Sequence, residues 1–332
     1  MQQFLGLVMA AVDGDAARLA AVLAGVRAYQ AHPYQRAPQD RPVVARCGAA
    51  RLLDYGGSGP PVVFVPSLIN PPTVLDLAEE NSLLRWLSGQ GVRSMLVDWG
   101  TPAAAELALD IDGYVTKRLL PLLGAVGERV ALAGYCLGGT MAVAAAALHP
   151  VTRLAMIATP WRFAGYDAEH RRVVASWWQA AVPVATALGA LPMDLVQPLF
   201  WGLDPRAASA KFAAFARMDP DSPGARAFVA LEDWANDGPP LAVPAARQCF
   251  EDFFERDAPG AGEWTIDGTV IDPAVLRIPL ANFISTRDRI VPVAAAADAG
   301  TCLQLPAGHV GMVVGSQAKA LLWEPLRDFL TG

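Results

Sequence analysis

Ala133-Gly134-Tyr135-Cys136-Leu137-Gly138-Gly139-Thr140 is the stretch on which the reading of this chain turns. The residues before it, 129–134, form an apolar run of strand length, and those after it, 137–148, are Ala-rich and helix-forming up to His149-Pro150. A Gly-x-nucleophile-x-Gly sequence between a strand and a helix is the pattern of a nucleophile elbow, here with cysteine in place of serine. The turn is tight, so small residues must flank it. A thiol at a helix N-terminus feels the positive end of the helix dipole, which favours the thiolate. The backbone N–H of Leu137 stands where a developing oxyanion would need a donor. Taken alone, the same residues also describe a buried structural cysteine in a Gly-rich turn.

Working outward, short strands and helices alternate around the elbow. Strands are expected at 43–46, 51–55, 61–65, 93–99, 129–134 and 153–159. Pro61-Val62-Val63-Phe64-Val65 is apolar throughout, as in a strand buried on both faces of a parallel sheet. Helices are expected from about Asn81 and over 111–123, the second capped by Asp110. From 160 to about 275 the alternation stops and helical patches appear at 172–190, 207–217 and 241–255. It resumes with strands at 279–285 and 302–305 and helices at 293–299 and 316–330. Residues 1–32 read as one or two helices, ended at His32-Pro33, with a Pro-rich linker over 33–42.

This pattern specifies an α/β protein with the α/β-hydrolase fold: a mostly parallel central sheet, helices on both faces and a helical lid insertion. The expected division is an N-terminal helical segment and linker at 1–42, a core at 43–160 and 276–332, and a lid at 161–275.

In this fold the acid and the histidine follow the nucleophile on late strands, in that order. Asp288 stands in the loop after the 279–285 strand, ahead of Pro292, and His309 stands between Gly308 and Val310 after the last strand. Asp288 also suits a plain Asx turn. Asp298 is a rival acid, set aside because the 293–299 helix should carry it. His32 and His149 precede prolines at helix ends, and His170 falls in the lid, so His309 is the general-base candidate. The loop after the first buried strand, Pro66-Ser67-Leu68-Ile69-Asn70, is where a second oxyanion donor is expected, with Ile69 as the candidate and Leu68 in reserve.

Composition narrows the alternatives. The chain has 332 residues, 53% hydrophobic and 17% charged, with a net charge of -6, which disfavours nucleic acid as a partner. Cys47, Cys136, Cys249 and Cys302 are widely spaced, and neither CxxC nor HExxH occurs, so no metal or cofactor site is expected. Gly56-Gly57-Ser58-Gly59 opens no helix and is not a phosphate loop. The apolar start lacks a basic region and reads as helix, and no apolar run is long enough for a transmembrane segment. A cytoplasmic location is the expectation.

The chain resembles the polyhydroxyalkanoate synthase family, the polymerases of bacterial storage polyesters. The resemblance rests on the Ser-Leu-Ile-Asn stretch and the cysteine elbow, with Leu75-Asp76-Leu77, Asn81-Ser82-Leu83-Leu84-Arg85-Trp86 and Val97-Asp98-Trp99-Gly100-Thr101-Pro102 between them. Ala147-Leu148-His149-Pro150, Ala158-Thr159-Pro160, Asp288-Arg289-Ile290-Val291-Pro292 and Gly308-His309-Val310-Gly311-Met312 continue it in family order, and Trp234-Ala235-Asn236-Asp237 matches a lid segment. Two features depart from the family: the chain is short beside its self-sufficient members, and Arg289 stands where a histidine usually follows the acid.

The resemblance implies an acyltransferase that polymerises 3-hydroxyacyl-CoA thioesters through Cys136, His309 and Asp288, with an acyl-cysteine intermediate and Leu137 and Ile69 at the oxyanion. It implies no cofactor beyond the CoA thioester substrate, a homodimer or a partner subunit, and a polyester granule surface as company. Arg85, Arg118 and Arg162 are candidate CoA phosphate partners. Trp161, Trp177, Trp178, Phe200, Trp201 and Trp234 would line or pack the lid. The alternatives are a cysteine hydrolase acting on thioester, ester or polyester, with water as acceptor, and a non-catalytic granule-associated protein.

Overall fold

The computed structural model describes residues 2–37 and 40–332, and Pro38 and Gln39 of the expected linker lie outside the described residues. Two compact units divide the chain, one of residues up to 39 with 193–238, the other of 40–192 with 239–332. The 161–275 segment, read in sequence as a single lid, is therefore shared between them.

The larger unit is built on an eight-stranded sheet. Its strands are β1 (Val43–Cys47), β2 (Ala50–Asp54), β3 (Pro61–Val65), β4 (Arg93–Asp98), β5 (Ala131–Tyr135), β6 (Leu154–Ile157), β7 (Leu280–Ser285) and β8 (Thr301–Leu305). They lie in the order β1-β2-β4-β3-β5-β6-β7-β8. β2 pairs antiparallel with both β1 and β4, and every pair from β4 onward in this order is parallel. β3, β5 and β6 are buried along their whole length, as expected for strands covered on both faces. The helical run from Ile111 begins with the Asp110 carboxylate accepting the Gly113 N–H at 2.7 Å, the expected cap.

One expected helix is missing. Over 293–299 the chain makes only a short 3-10 turn at Val293–Ala295. The carbonyls that a helix would use serve other partners: Ala295 accepts from the N–H groups of Trp161 and Arg162, Ala296 from the Arg162 guanidinium and Ala297 from the Asn282 amide. Asp298 is exposed and not helical, so the reason given for setting it aside fails, although its exposure still separates it from a buried acid.

Within this unit the segment after 239 is fixed to the core by one polar knot. Asp112 accepts from Gln248 Nε2 at 2.6 Å and from Trp264 Nε1 at 2.8 Å, while Gln248 Oε1 accepts the Ile111 N–H at 2.7 Å. Burial raises the Asp112 carboxyl above its ordinary value, against these two donors. Trp161 and Trp178 are buried, which favours packing over a lining role for both.

The smaller unit packs the helices Gln2–Val12 and Ala16–Gln30 with Met193–Leu203, Pro205–Phe215 and Pro223–Asn236. Phe4, Val8, Val12, Val22, Val26 and Phe212 form its apolar centre. Among the described residues, no helix is long and apolar enough to cross a membrane.

Candidate active site

Strand β5 brings Tyr135 to the C-terminal end of the sheet, and the next residue, Cys136, adopts φ 55° and ψ -133° before the helix Leu137–Leu148 begins. A non-glycine residue rarely holds positive φ, and strain of this kind is stored where the surroundings over-determine it. Here the packing does so. A Cβ on Gly138 would lie 2.1 Å from the Val65 carbonyl oxygen and 2.4 Å from that of Pro66, and one on Gly134 would lie 2.4 Å from the Gly139 Cα. The elbow therefore presses on the end of β3 and on the loop that follows it. A Gly138→Ala substitution should destabilise the fold by about 3 kcal/mol, the upper range for overpacking a rigid site, measurable by chemical denaturation.

The loops after β7 and β8 are tied together. Thr286 N–H donates to the Leu305 carbonyl at 2.8 Å, Arg287 N–H to Ala307 at 3.0 Å, and the Ser285 hydroxyl to Ala307 at 2.5 Å. This carries the two chains in parallel past the end of the sheet and sets Asp288 beside His309. Asp288 Oδ2 lies 2.6 Å from His309 Nδ1, and Oδ1 accepts the N–H groups of Ile290 at 2.7 Å and Val291 at 2.9 Å. The Asx turn and the pairing with histidine thus occur together, one on each carboxylate oxygen. With Nδ1–H given to the carboxylate, Nε2 is the nitrogen left for Cys136, whose charge acts on His309.

Electrostatics favour a protonated imidazole. Burial lowers the His309 pKa, but the charges of Asp288 and Cys136 and the hydrogen bonds to both outweigh it and raise it to about 10. A folded-state value above the ordinary 6.5 means that this contribution to stability is complete below pH 6.5 and is lost as pH rises through 10. The thermal midpoint should decline over that window, and in a Cys136→Ala protein, lacking one raising partner, the decline should start at the same pH but be smaller and end at lower pH. Parallel curves for the two proteins would contradict the coupling.

The other cysteines are placed differently. Cys249 is buried, and burial together with the Cys136 charge pushes its thiol up to about 12, so it stays protonated. The Cys47 thiol donates to the Lys117 carbonyl at 3.1 Å, and Cys302 is exposed.

At the expected oxyanion positions the results differ. Leu137 is the first residue of its helix, so its N–H has no intrahelical acceptor. Ile69, the candidate oxyanion donor, gives its N–H to the Ser67 hydroxyl at 3.1 Å in this conformation. Leu68, held in reserve, is buried, and its N–H has no acceptor among the described residues. Of the three candidate phosphate partners, two are held in ion pairs, and among the described residues the exposed Arg162 commits only its Nε. Arg85 pairs with the buried Asp76 at 2.7 Å, Arg118 with the buried Glu106 at 2.7 Å, and Arg162 Nε donates to Ala296 at 3.1 Å.

Two residues at the site escaped the sequence reading. Tyr135 lays its ring 5.1 Å from the imidazole of His309 at 37° and donates its hydroxyl to the His309 carbonyl at 3.3 Å. It holds both ring and backbone of the histidine, and its place inside the elbow motif was the available signal. Tyr135→Phe should cost little activity, since it loses one weak bond, whereas Tyr135→Leu should lower kcat on the order of tenfold by freeing the imidazole. Tyr166, buried and stacked at 5.9 Å on Phe163 and 5.6 Å on His170, has its phenol pushed well up by burial and by the charges of Cys136 and Asp288. His170 is half-buried in this stack, and burial lowers its pKa.

A thiol, an imidazole and a carboxylate in series, at a helix N-terminus with a free N–H, can carry out nucleophilic acyl transfer. No group of three or more metal-ligating side chains occurs among the described residues.

No family model matches the chain. Curated relatives do. A poly(3-hydroxyalkanoate) polymerase subunit PhaC of Haloferax mediterranei is 27% identical over 309 residues, 86% of this chain and 63% of the relative. The subunit of the same name from Allochromatium vinosum is 29% identical over 277 residues, 78% of this chain and 77% of that one. The chain thus spans less than two thirds of the archaeal relative, and the resemblance drawn from its motifs extends along about four fifths of its own length. Among solved structures, an alpha/beta hydrolase fold protein from Nakamurella multipartita matches with a TM-score of 0.51 at 17% identity, covering 87% of this chain and 99% of that one. A thermophilic esterase from Thermogutta terrifontis matches with a TM-score of 0.51 at 14% identity, covering 88% and 100%. The fold is the α/β-hydrolase fold.

Proposed function

We propose that this chain is an acyltransferase of the polyhydroxyalkanoate synthase kind, which joins 3-hydroxyacyl groups from CoA thioesters through an acyl-cysteine at Cys136. The observation that carries the reading is the His309–Asp288 pair, 2.6 Å apart and electrostatically coupled to Cys136 at a nucleophile elbow, in a chain similar to poly(3-hydroxyalkanoate) polymerase subunits.

The Cys136 thiolate, paired with the His309 imidazolium, attacks the thioester carbonyl carbon. The oxyanion is held by the N–H of Leu137 and, in preference to Ile69, that of Leu68; each such donor is worth about 3 kcal/mol where it has been measured. The tetrahedral intermediate expels the CoA thiolate, which takes the His309 proton. The acylated Cys136 carries no charge, so one cause of the raised His309 value disappears and the imidazole becomes a base. It then removes the proton from the hydroxyl of the next 3-hydroxyacyl group, whose oxygen attacks the acyl-cysteine, forms the ester and restores the thiolate. Asp288 holds the tautomer throughout. A partner subunit and a polyester granule surface are proposed on the same resemblance.

The test is thiol release from 3-hydroxybutyryl-CoA with identification of the products. Oligoester is the expected product. Free hydroxyacid alone would move the function to a cysteine hydrolase, and full biological effect from a Cys136→Ala protein would move it to a non-catalytic role.

A further inference from the structure

The smaller unit contains a cavity of about 700 Å3 for which the acyl-transfer chemistry has no use. A site of this size accommodates a small organic ligand. One wall is aromatic. Phe4 meets Trp201 edge-on with centroids 5.0 Å apart and Phe212 at 5.4 Å, and Tyr29 meets Phe212 at 5.9 Å.

Polar groups line the cavity as well, and they offer acceptors. Asn236 Nδ2 is committed to the Glu232 carbonyl at 2.7 Å, Gln197 Nε2 to Asn236 Oδ1 at 3.2 Å, and the Tyr29 hydroxyl to Asp233 at 2.6 Å. Gln197 Oε1 has no donor among the described residues. Glu232, almost wholly buried, lines the cavity with the exposed Asp194, and no lysine or arginine lines it. Lys211 reaches both Glu232 oxygens, at 2.6 and 2.8 Å, but it balances one charge while Asp233 and Asp194 add two more. The excess is felt locally: burial raises the Glu232 carboxyl, Lys211 opposes this and Asp233 adds to it, and burial with Asp233 pushes the Tyr29 phenol up.

Aromatic faces beside carboxylates attract a cation that carries apolar surface, as the Lys211 ammonium 5.4 Å from the Phe212 centroid already shows, whereas a carboxylate or phosphate would meet like charge and only this one cation, already paired with Glu232. We propose that this cavity binds a small amphiphilic amine, its apolar chain or ring against Phe4, Trp201 and Phe212 and its ammonium turned toward Gln197, Glu232 and Asp194. The site is independent of Cys136 and stands whether or not the chain transfers acyl groups.

Calorimetric titration of the full chain with 2-phenylethylammonium, 2-phenylethanol and 3-phenylpropionate tests this. The amine should bind saturably at one site, at least tenfold more tightly than the alcohol or the acid. Asp194→Asn, an exposed change that leaves the fold alone, should weaken the amine several-fold, and Trp201→Ala more strongly, with folding of both variants checked by circular dichroism. Three results would overturn the proposal: no saturable amine binding, alcohol or acid binding as tightly as amine, or amine binding unchanged in both variants. The last would assign the binding to the general acidity of a chain with net charge -6.

Discussion

Cys136→Ala is expected to abolish CoA release from 3-hydroxyacyl-CoA, by at least about 10⁴-fold, with the fold intact. Loss of a nucleophile that acts as one unit with its base costs as much as loss of the whole unit. Nothing stands ready to replace it: Cys249 is buried with its thiol pushed up to about 12, and Cys47 and Cys302 lie outside the elbow. The elbow should survive, because it is clamped by backbone contacts of its glycines rather than by the thiol. Circular dichroism beside the thiol-release assay separates the two outcomes.

Asp288→Asn should lower kcat about 10⁴-fold, the loss seen when the equivalent change reverses a catalytic histidine's tautomer. The geometry specifies how. Oδ1 accepts two backbone N–H groups, from Ile290 and Val291, so an asparagine keeps its oxygen there and the loop holds. Its NH₂ then takes the place of Oδ2 against His309 Nδ1. That nitrogen must become the acceptor, which leaves the proton on Nε2 and removes the base that Cys136 requires. A native circular dichroism spectrum, with activity lost at all pH values, would separate the tautomer effect from unfolding.

How far the sequence revealed this site depends on what each residue is constrained by. Cys136 was legible because the elbow imposes a local steric rule: with 2.1 Å between a would-be Cβ at Gly138 and the Val65 oxygen, only glycine fits. Asp288 and His309 were legible because both sit just past the ends of parallel strands, where chain order carries meaning. The second oxyanion donor was not, because whether Ile69 or Leu68 is free turns on the rotamer of Ser67. The 293–299 helix was read from its alanines, yet the carbonyls of Ala295, Ala296 and Ala297 are claimed by Trp161, Arg162 and Asn282, which are distant in sequence. The same holds for the smaller unit. The periodicity of residues 2–30 indicates helices, but nothing local says that Phe4, Val22 and Val26 pack with Phe212. The role of Tyr135 is not legible in the motif, because its contact with His309 exists only once β5 and the loop after β8 are brought together.

The most direct test of the central claim is to mix the intact protein with 3-hydroxybutyryl-CoA, quench in acid and locate the acyl group by mass spectrometry of the whole chain and its peptides. An acyl adduct is expected on the peptide that carries Cys136, labile to hydroxylamine as a thioester and absent from Cys136→Ala. CoA release without any adduct on that peptide under rapid quench, or an adduct on another residue that persists in Cys136→Ala, would contradict it.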